Sequence, residues 1–146
     1  MRASHLNAAL GINRKNMYPK DGEVGKFKLL MYRGVKDKSA HLHEEFASDP
    51  GDYGCGEYWT DNKEFAAIYG EVISKVIELD NVYRIPKGEV LPLIEQYETC
   101  KMHLGHEKRL EGASKLTKLF KEKGYSAVLT VGYESPNILG LCIFNA

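Results

Sequence analysis

The sequence predicts an α+β fold, and three observations support this class. Five or six strand-like and two or three helix-like segments follow one another in mixed order, without the regular alternation of a doubly wound parallel sheet. The 146 residues are 43% hydrophobic and 27% charged, which is typical of one soluble globular domain. Neither a G-x-G-x-x-G nor a G-x-x-x-x-G-K-[ST] motif is present, which argues against a Rossmann or P-loop site. We therefore expect a single domain over 1–146.

The N-terminal part of the chain is predicted to hold one strand between two polar segments. Residues 1–26 are interpreted as an N-terminal arm or helix. Apolar residues dominate 27–35, which predicts a strand that Gly34 interrupts near its end. Residues 36–56 contain several Gly and Pro turn signals, so we expect a long loop with a short helix at 43–47.

A short helix is predicted after the next strand. Residues 57–60 are rich in aromatic and β-branched residues, which favours a strand. Asp61 followed by Glu64 has the spacing of a capping box, which marks a helix start. The apolar face of this helix is predicted from the positions i, i+3, i+4 and i+7, which are Phe65, Ile68, Tyr69 and Val72.

The middle of the chain predicts further strands and a second helix. Two stretches rich in β-branched residues, 72–79 and 82–86, indicate one or two strands. Residues 88–102 predict a helix. In that helix Pro92 is tolerable only in the first turn, because proline lacks the N–H that a helix interior requires.

The C-terminal part predicts one helix and two strands. Leu116, Leu119 and Phe120 share one face of a helix over 111–123, which a glycine at position 124 ends. Strands are expected over 126–131 and 139–144.

Histidine pairs are the strongest metal-ligand candidates in the sequence. His41 and His43 have strand-like spacing, and His103 and His106 are three residues apart; a metal can use either spacing. Neither pair has a convincing third or fourth ligand nearby, and solvated loop histidines explain both pairs. We therefore expect no metal site.

The cysteines and the hydropathy pattern bear on location. Cys55, Cys100 and Cys142 are far apart and odd in number, which fits neither a disulfide framework nor a C-x-x-C pair. No apolar run approaches the roughly 20 residues that span a bilayer, and the N-terminus is a poor secretory signal. We expect reduced thiols, a cytoplasmic location and no membrane association.

The charges of the chain balance, with 20 Lys and Arg against 20 Asp and Glu. A protein without net charge has no general attraction for nucleic acid. Any contact with a polyanion must therefore be local.

Three separated blocks carry the most informative pattern of chemical groups. The first is M-Y-R-G-V at 31–35, at the end of a predicted strand. The second is Y-W-T at 58–60, which precedes a helix containing F-A-x-x-Y-G. The third is G-Y-S-A-V at 124–128, which leads to Glu134 and the final strand.

In this order the blocks resemble the arginine-serine-glutamate class of the ADP-ribosyltransferase superfamily, over residues 28–146. That class has an aromatic-Arg-Gly strand end, then an aromatic-Ser/Thr strand with an A-x-x-Y helix, then an acidic residue near a late strand. The resemblance implies two small packed β-sheets with peripheral helices and a cleft for NAD. Gly132 stands where many arginine-modifying members carry Gln or Glu, so the acceptor atom is left open.

The resemblance assigns catalysis to Glu134 and Thr60. Breaking the bond between nicotinamide and ribose gives the sugar oxocarbenium character, which a carboxylate at Glu134 would stabilise. Thr60 would hydrogen-bond Glu134 or the ribose and fix its orientation.

The resemblance assigns NAD binding to five further residues. Arg33 would hold the pyrophosphate, because a planar fork suits phosphate oxygens better than a point charge does. Gly34 would let backbone groups approach the nicotinamide amide, and Tyr32 belongs to the same motif. Tyr58 or Tyr69 would stack on the nicotinamide ring.

The implied activity is transfer of ADP-ribose from NAD to a macromolecular acceptor with release of nicotinamide. The chain is similar to small intracellular modifiers of bacteria and phages, some of which disable host defence proteins. We expect a monomer that modifies a protein rather than a nucleic acid, in the host cytoplasm if a phage encodes it. Two alternatives stay open: an NAD glycohydrolase toxin with water as acceptor, and an inactive module that inhibits a partner by binding it.

Overall fold

The computed structural model of the protein describes residues 17–35, 49–99, 105–133 and 135–144. These residues form six strands and three helices in mixed order, which confirms the predicted α+β class. In chain order the elements are β1 (Val24–Val35), β2 (Asp49–Gly51), β3 (Gly54–Thr60), α1 (Lys63–Ala67), β4 (Glu71–Arg84), α2 (Lys87–Tyr97), α3 (Gly105–Glu122), β5 (Ala127–Val131) and β6 (Leu139–Phe144).

The strands form one sheet in the order β1-β4-β5-β6-β3-β2. Neighbouring strands are antiparallel except β4 and β5, which are parallel. β1 also meets β3 through the pair Tyr32 and Thr60, so the sheet closes on itself. Instead of the two small packed sheets that the resemblance implies, the described residues form a single hydrogen-bonded sheet.

The length of β4 explains why there is one sheet. This strand pairs with β1 from Glu71 to Tyr83, and its last three residues also pair with β5. The sequence leaves open one strand or two here. Asn81 has a φ of 58° and lies at an irregularity in the pairing with β1, so the expected turn is a bulge that bends the strand without ending it.

Alternate strand residues form an inner core, because successive side chains of a strand point to opposite faces. In β1 these residues are Phe27, Leu29 and Met31. The inner core is completed by Trp59, Ile77, Val82, Ala127, Leu129, Leu139 and Leu141, all of them buried.

Helices α2 and α3 cover the other face of β5 and β6 and form an outer core. Its buried residues are Tyr53, Ile85, Val90, Ile94, Leu116, Phe120, Val128, Cys142 and Phe144. The two helices approach closely at Gly112, where a Cβ atom would lie 1.9 Å from the carbonyl oxygen of Tyr97. None of the helices described is both long and apolar enough to cross a bilayer.

Pro92 lies inside α2 and not in its first turn, so the prediction that a helix tolerates Pro92 only in the first turn is wrong. A residue at position 92 would normally donate its N–H to the carbonyl of Gly88. Both residues are exposed to solvent, so water can hydrate the free carbonyl. The helix ends earlier than predicted, because Glu98 adopts the left-handed conformation with a φ of 58°.

Helix α1 differs most from the prediction. Its N-cap is Asn62, whose Oδ1 accepts from Phe65 N at 2.8 Å, so the capping box at Asp61 is wrong by one residue. The helix ends at Ala67, and Val72 already belongs to β4. Ile68 is 74% exposed and Tyr69 is 57% exposed, so they form no buried helix face.

Parts of the N-terminal predictions lie outside the described residues. These are residues 1–16 of the expected arm and 36–48 of the expected loop, with its helix at 43–47. Met17 and Tyr18 pack against the inner core, and Lys28 N donates to Met17 O at 2.8 Å. The end of the arm is therefore attached to β1.

We expect Gly112→Ala to lower the free energy of unfolding by about 1–3 kcal/mol, because the added methyl group would force α2 and α3 apart. Gly88→Ala is the matched control. Nothing lies within 4 Å of its Cβ position, and Ala favours a helix over Gly by up to about 1 kcal/mol. Urea unfolding followed by circular dichroism measures both variants, and equal effects would contradict the close helix contact.

Candidate active site

The predicted site residues come from strand ends that meet at one end of the sheet. Thr60 pairs with Tyr32 on one side and with Gly140 on the other, and Gly140 also pairs with Thr130. The C-terminal ends of β1, β3 and β5 and the start of β6 are therefore adjacent. We call this region the site end of the sheet.

Arg33 is a buried residue at the site end, with 8% of its surface exposed. Because successive side chains of a strand point to opposite faces, the side chain of Arg33 lies on the same inward face as that of Met31. Its Nη1 donates to the carbonyl oxygen of Tyr58 at 3.3 Å. Within the described part of the chain, its Nε is buried without a hydrogen-bond partner and Arg33 forms no ion pair. Such buried unsatisfied donors are rare in proteins.

Thr60 pairs with Tyr32, the residue before Arg33, so its side chain lies on the Tyr32 face of the sheet. It is also buried, at 6% exposure. Its hydroxyl oxygen accepts from Asn62 N at 3.3 Å. Thr60 therefore holds the turn between β3 and α1, and it is the last residue of the strand that β1 and β6 both contact.

Tyr32 and Gly34 lie on the opposite face of β1 from Arg33, against α1. Tyr32 packs with Leu30 and Ala66, and burial, followed by the nearby charge of Glu64, raises the pKa of its phenol. A Cβ atom at Gly34 would lie 2.0 Å from the carbonyl oxygen of Ala66. Packing of α1 on β1 is thus a sufficient reason for glycine at this position.

Tyr69 follows α1 and lies close to Gly34, since its Cβ is 3.0 Å from the position of an added Cβ there. Its ring contacts Phe65 edge-on, with 5.8 Å between centroids. With more than half of its surface exposed, Tyr69 has a ring that a ligand can reach.

The side chain of Tyr58 packs on the outer core instead of on the inward face that Arg33 occupies. The Tyr58 hydroxyl donates to Gly54 O at 2.6 Å and accepts from Tyr53 N at 3.2 Å. Burial raises the pKa of Tyr58 well above its usual value, with a further contribution from Cys142. The group of Tyr58 that contributes to the site end is its carbonyl oxygen, which holds Arg33.

Glu134 itself lies outside the described residues, but the connection around it is described. Gly132 N donates to Ile138 O at 2.9 Å, and Ile138 N donates to Ser135 O at 3.2 Å. These bonds close the connection between β5 and β6 at the site end.

Two aspartates that the sequence analysis did not assign to the site hold this connection. Asp52 Oδ2 accepts from the Tyr133 hydroxyl at 2.9 Å, and Asp61 Oδ1 accepts from Leu139 N at 2.9 Å. Asp61 was predictable only as a helix cap, because nothing in local spacing signals a partner 78 positions away.

The histidines considered as metal ligands, and one of the three cysteines, lie mostly outside what the structure describes. This holds for His41, His43, His103, Cys100 and the side chain of His106. No three His, Cys, Asp or Glu side chains of the described residues come together as a metal site. Cys55 is partly exposed, and Cys142 is buried.

A groove of about 470 Å³ lies away from the site end, between β3 and α3. None of the predicted site residues that the structure describes lines it. Its lining residues are Cys55, Ser114, Thr117, Lys118, Lys121 and Glu122.

Comparison with protein-family models, curated proteins and solved structures finds no match for this chain.

We expect Tyr58→Phe to lower the free energy of unfolding by about 1–3 kcal/mol, because the Tyr53 N–H would lose its partner in a buried place. Tyr69→Phe is the matched control and should change stability by no more than about 0.5 kcal/mol, as exposed substitutions do. Chemical denaturation measures both. If the Tyr58→Phe variant is as stable as the control, the Tyr58 hydroxyl has no structural role.

Proposed function

We propose that the protein transfers ADP-ribose from NAD to a macromolecular acceptor and releases nicotinamide. The observation that carries the proposal is the buried Arg33 guanidinium at the site end, whose Nε has no hydrogen-bond partner among the described residues. Thr60 and the β5–β6 connection lie at the same end of the sheet. The order of motifs that resembles ADP-ribosyltransferases agrees with this convergence. We also propose that the chain has that family's fold, with β4 joining its strands into one sheet.

Arg33 is suited to the anionic part of the dinucleotide. A buried donor without a partner costs about 1–3 kcal/mol, and a phosphate oxygen would remove that cost while gaining a charge-assisted hydrogen bond. The Tyr58 carbonyl already occupies Nη1 and so fixes the direction of the fork. In this proposal Gly34 and Tyr32 maintain the contact between β1 and α1, and Tyr69 offers the exposed ring for the nicotinamide.

Glu134 and Thr60 would act on the ribose. As the C1′–N bond of NAD breaks, its electron pair leaves with nicotinamide, and the sugar carries positive charge that the Glu134 carboxylate stabilises. An acceptor nucleophile then bonds to C1′ and loses its proton. Thr60, at the end of β3, would orient the ribose or the carboxylate.

The acceptor in this proposal is a cytoplasmic protein rather than a nucleic acid, and the chain acts as a monomer. The test uses NAD labelled in the adenine ring, incubated with the protein and a bacterial lysate, with nicotinamide measured in parallel. Label on protein together with nicotinamide release supports the transferase. Nicotinamide release with free ADP-ribose as sole product identifies a glycohydrolase, and no release at all overturns the enzymatic proposal.

Glu134→Gln is expected to slow nicotinamide release by about 10²- to 10³-fold, because it removes the charge that opposes the ribosyl cation. The variant should bind NAD normally, and its free energy of unfolding should change by no more than about 0.5 kcal/mol. Glu95→Gln, an exposed change on α2, serves as control. Near-normal turnover in Glu134→Gln would exclude Glu134 from the reaction.

Arg33→Lys is expected to weaken NAD binding by about 1.5–3 kcal/mol, since an ammonium group cannot reproduce the forked geometry. Arg84→Lys is the matched control. Its Nε also lacks a hydrogen bond within the described residues, but Asp21 lies 3.6 Å from that atom, and Arg84 belongs to none of the three motif blocks. Calorimetric titration with NAD measures both, and equal affinities in the two variants would make Arg33 a structural residue.

A further inference from the structure

The connection between β5 and β6 is attached at its start to the turn that joins β2 and β3. The attachment is the hydrogen bond from the Tyr133 hydroxyl to Asp52 Oδ2, at 2.9 Å. Glu134 directly follows Tyr133 in the chain. Fixing Tyr133 therefore restrains the start of the segment that carries the proposed catalytic carboxylate.

Asp52 is itself held by a buried partner. Its carbonyl oxygen accepts from the hydroxyl of Thr99, which is fully buried. The carbonyl oxygen of Thr99 accepts in turn from Arg109 Nε at 2.9 Å. These bonds tie the turn with Asp52 to the region between α2 and α3, so the acceptor that Tyr133 meets is fixed by the helical layer.

The ring of Tyr133 has a second, independent contact. It meets Tyr53 edge-on, with 6.2 Å between centroids and an angle of 82° between the planes. Tyr53 is 1% exposed and is bonded through its N–H to the Tyr58 hydroxyl. A phenylalanine at 133 would keep the ring contact and remove the hydroxyl that donates to Asp52.

We propose that Asp52 is a positioning residue that acts through the Tyr133 hydroxyl, holding the β5–β6 connection in the geometry that ribosyl transfer needs. The inference rests on the proposed function. Its physical basis is that catalysis depends steeply on placement, since an error of about 1 Å in a reacting group can cost on the order of 100-fold in rate. An O–H bonded to an ionised carboxylate is a strong and directional restraint.

The experiment compares Tyr133→Phe, Asp52→Ala and Asp52→Asn in the full chain. The first two remove the bond, whereas Asp52→Asn keeps a side-chain oxygen that can accept from Tyr133. Tyr125→Phe is the matched control, because its ring stacks on Tyr83 at 4.8 Å, away from the connection. Two quantities are measured: hydrogen exchange of the backbone amides in 132–139, and kcat for nicotinamide release together with the Kd for NAD.

We expect Tyr133→Phe and Asp52→Ala to exchange faster in 132–139 and to lose about tenfold or more in kcat, with the Kd for NAD changed less than about twofold. Asp52→Asn should recover most of both quantities, and Tyr125→Phe should match the parent. If the bond were merely structural, its loss would not lower kcat at constant Kd, and Asp52→Asn would not restore kcat.

Unchanged exchange in Tyr133→Phe, or faster exchange with unaltered kcat, overturns the inference while leaving the proposed function intact. If the parent protein releases no nicotinamide, the proposed function fails, and with it the role of Asp52 in the reaction. Faster exchange in the variants would then still show that the bond restrains the connection.

Discussion

The pairing of Tyr32 with Thr60 is the contact on which the arrangement at the site end depends. It joins the last part of β1 to the end of β3, although these strands are separated in the sheet by β4, β5 and β6. Because Thr60 also pairs with Gly140, the contact places the ends of β1 and β3 beside the start of β6. Arg33 follows Tyr32 directly, so its guanidinium can reach the carbonyl of Tyr58 on β3.

The burial of Arg33 is the least favourable feature of this arrangement. A guanidinium removed from water without full pairing destabilises a fold, and apolar packing at the same position would avoid the cost. Arg84 gives the contrast: its side chain is 22% exposed, Asp21 lies 3.6 Å from its Nε, and its guanidinium lies over the Tyr18 ring. Arg33 has neither a carboxylate nor an aromatic partner within the described residues, which is why the proposed function gives it a ligand role.

Some aromatic residues of the motifs are packed in the fold and one is exposed, and the sequence does not distinguish the two kinds. Tyr32 and Tyr58 are packed on different layers, the first under α1 and the second on the outer core. Tyr69 is exposed because α1 ends at Ala67 and Gly70, with a φ of 137°, turns the chain into β4. The predicted helical period continued past Gly70 to Val72, which belongs to β4, so the predicted buried face of the helix is wrong.

The sequence alone determined the class of the fold and most of its elements, because period-two and period-3.6 patterns are local consequences of burial on one face. Strand β6 matches its predicted range, and β1, β3, β5 and α3 overlap theirs. Only the tertiary structure decided the single closed sheet, the unpartnered Nε of Arg33, and the bonds from Asp52 and Asp61 to the β5–β6 connection. The closed sheet and the two aspartate bonds each need a partner far away in the chain, and the burial of Arg33 needs distant strands around it. Neither spacing nor composition specifies which distant groups a side chain will meet.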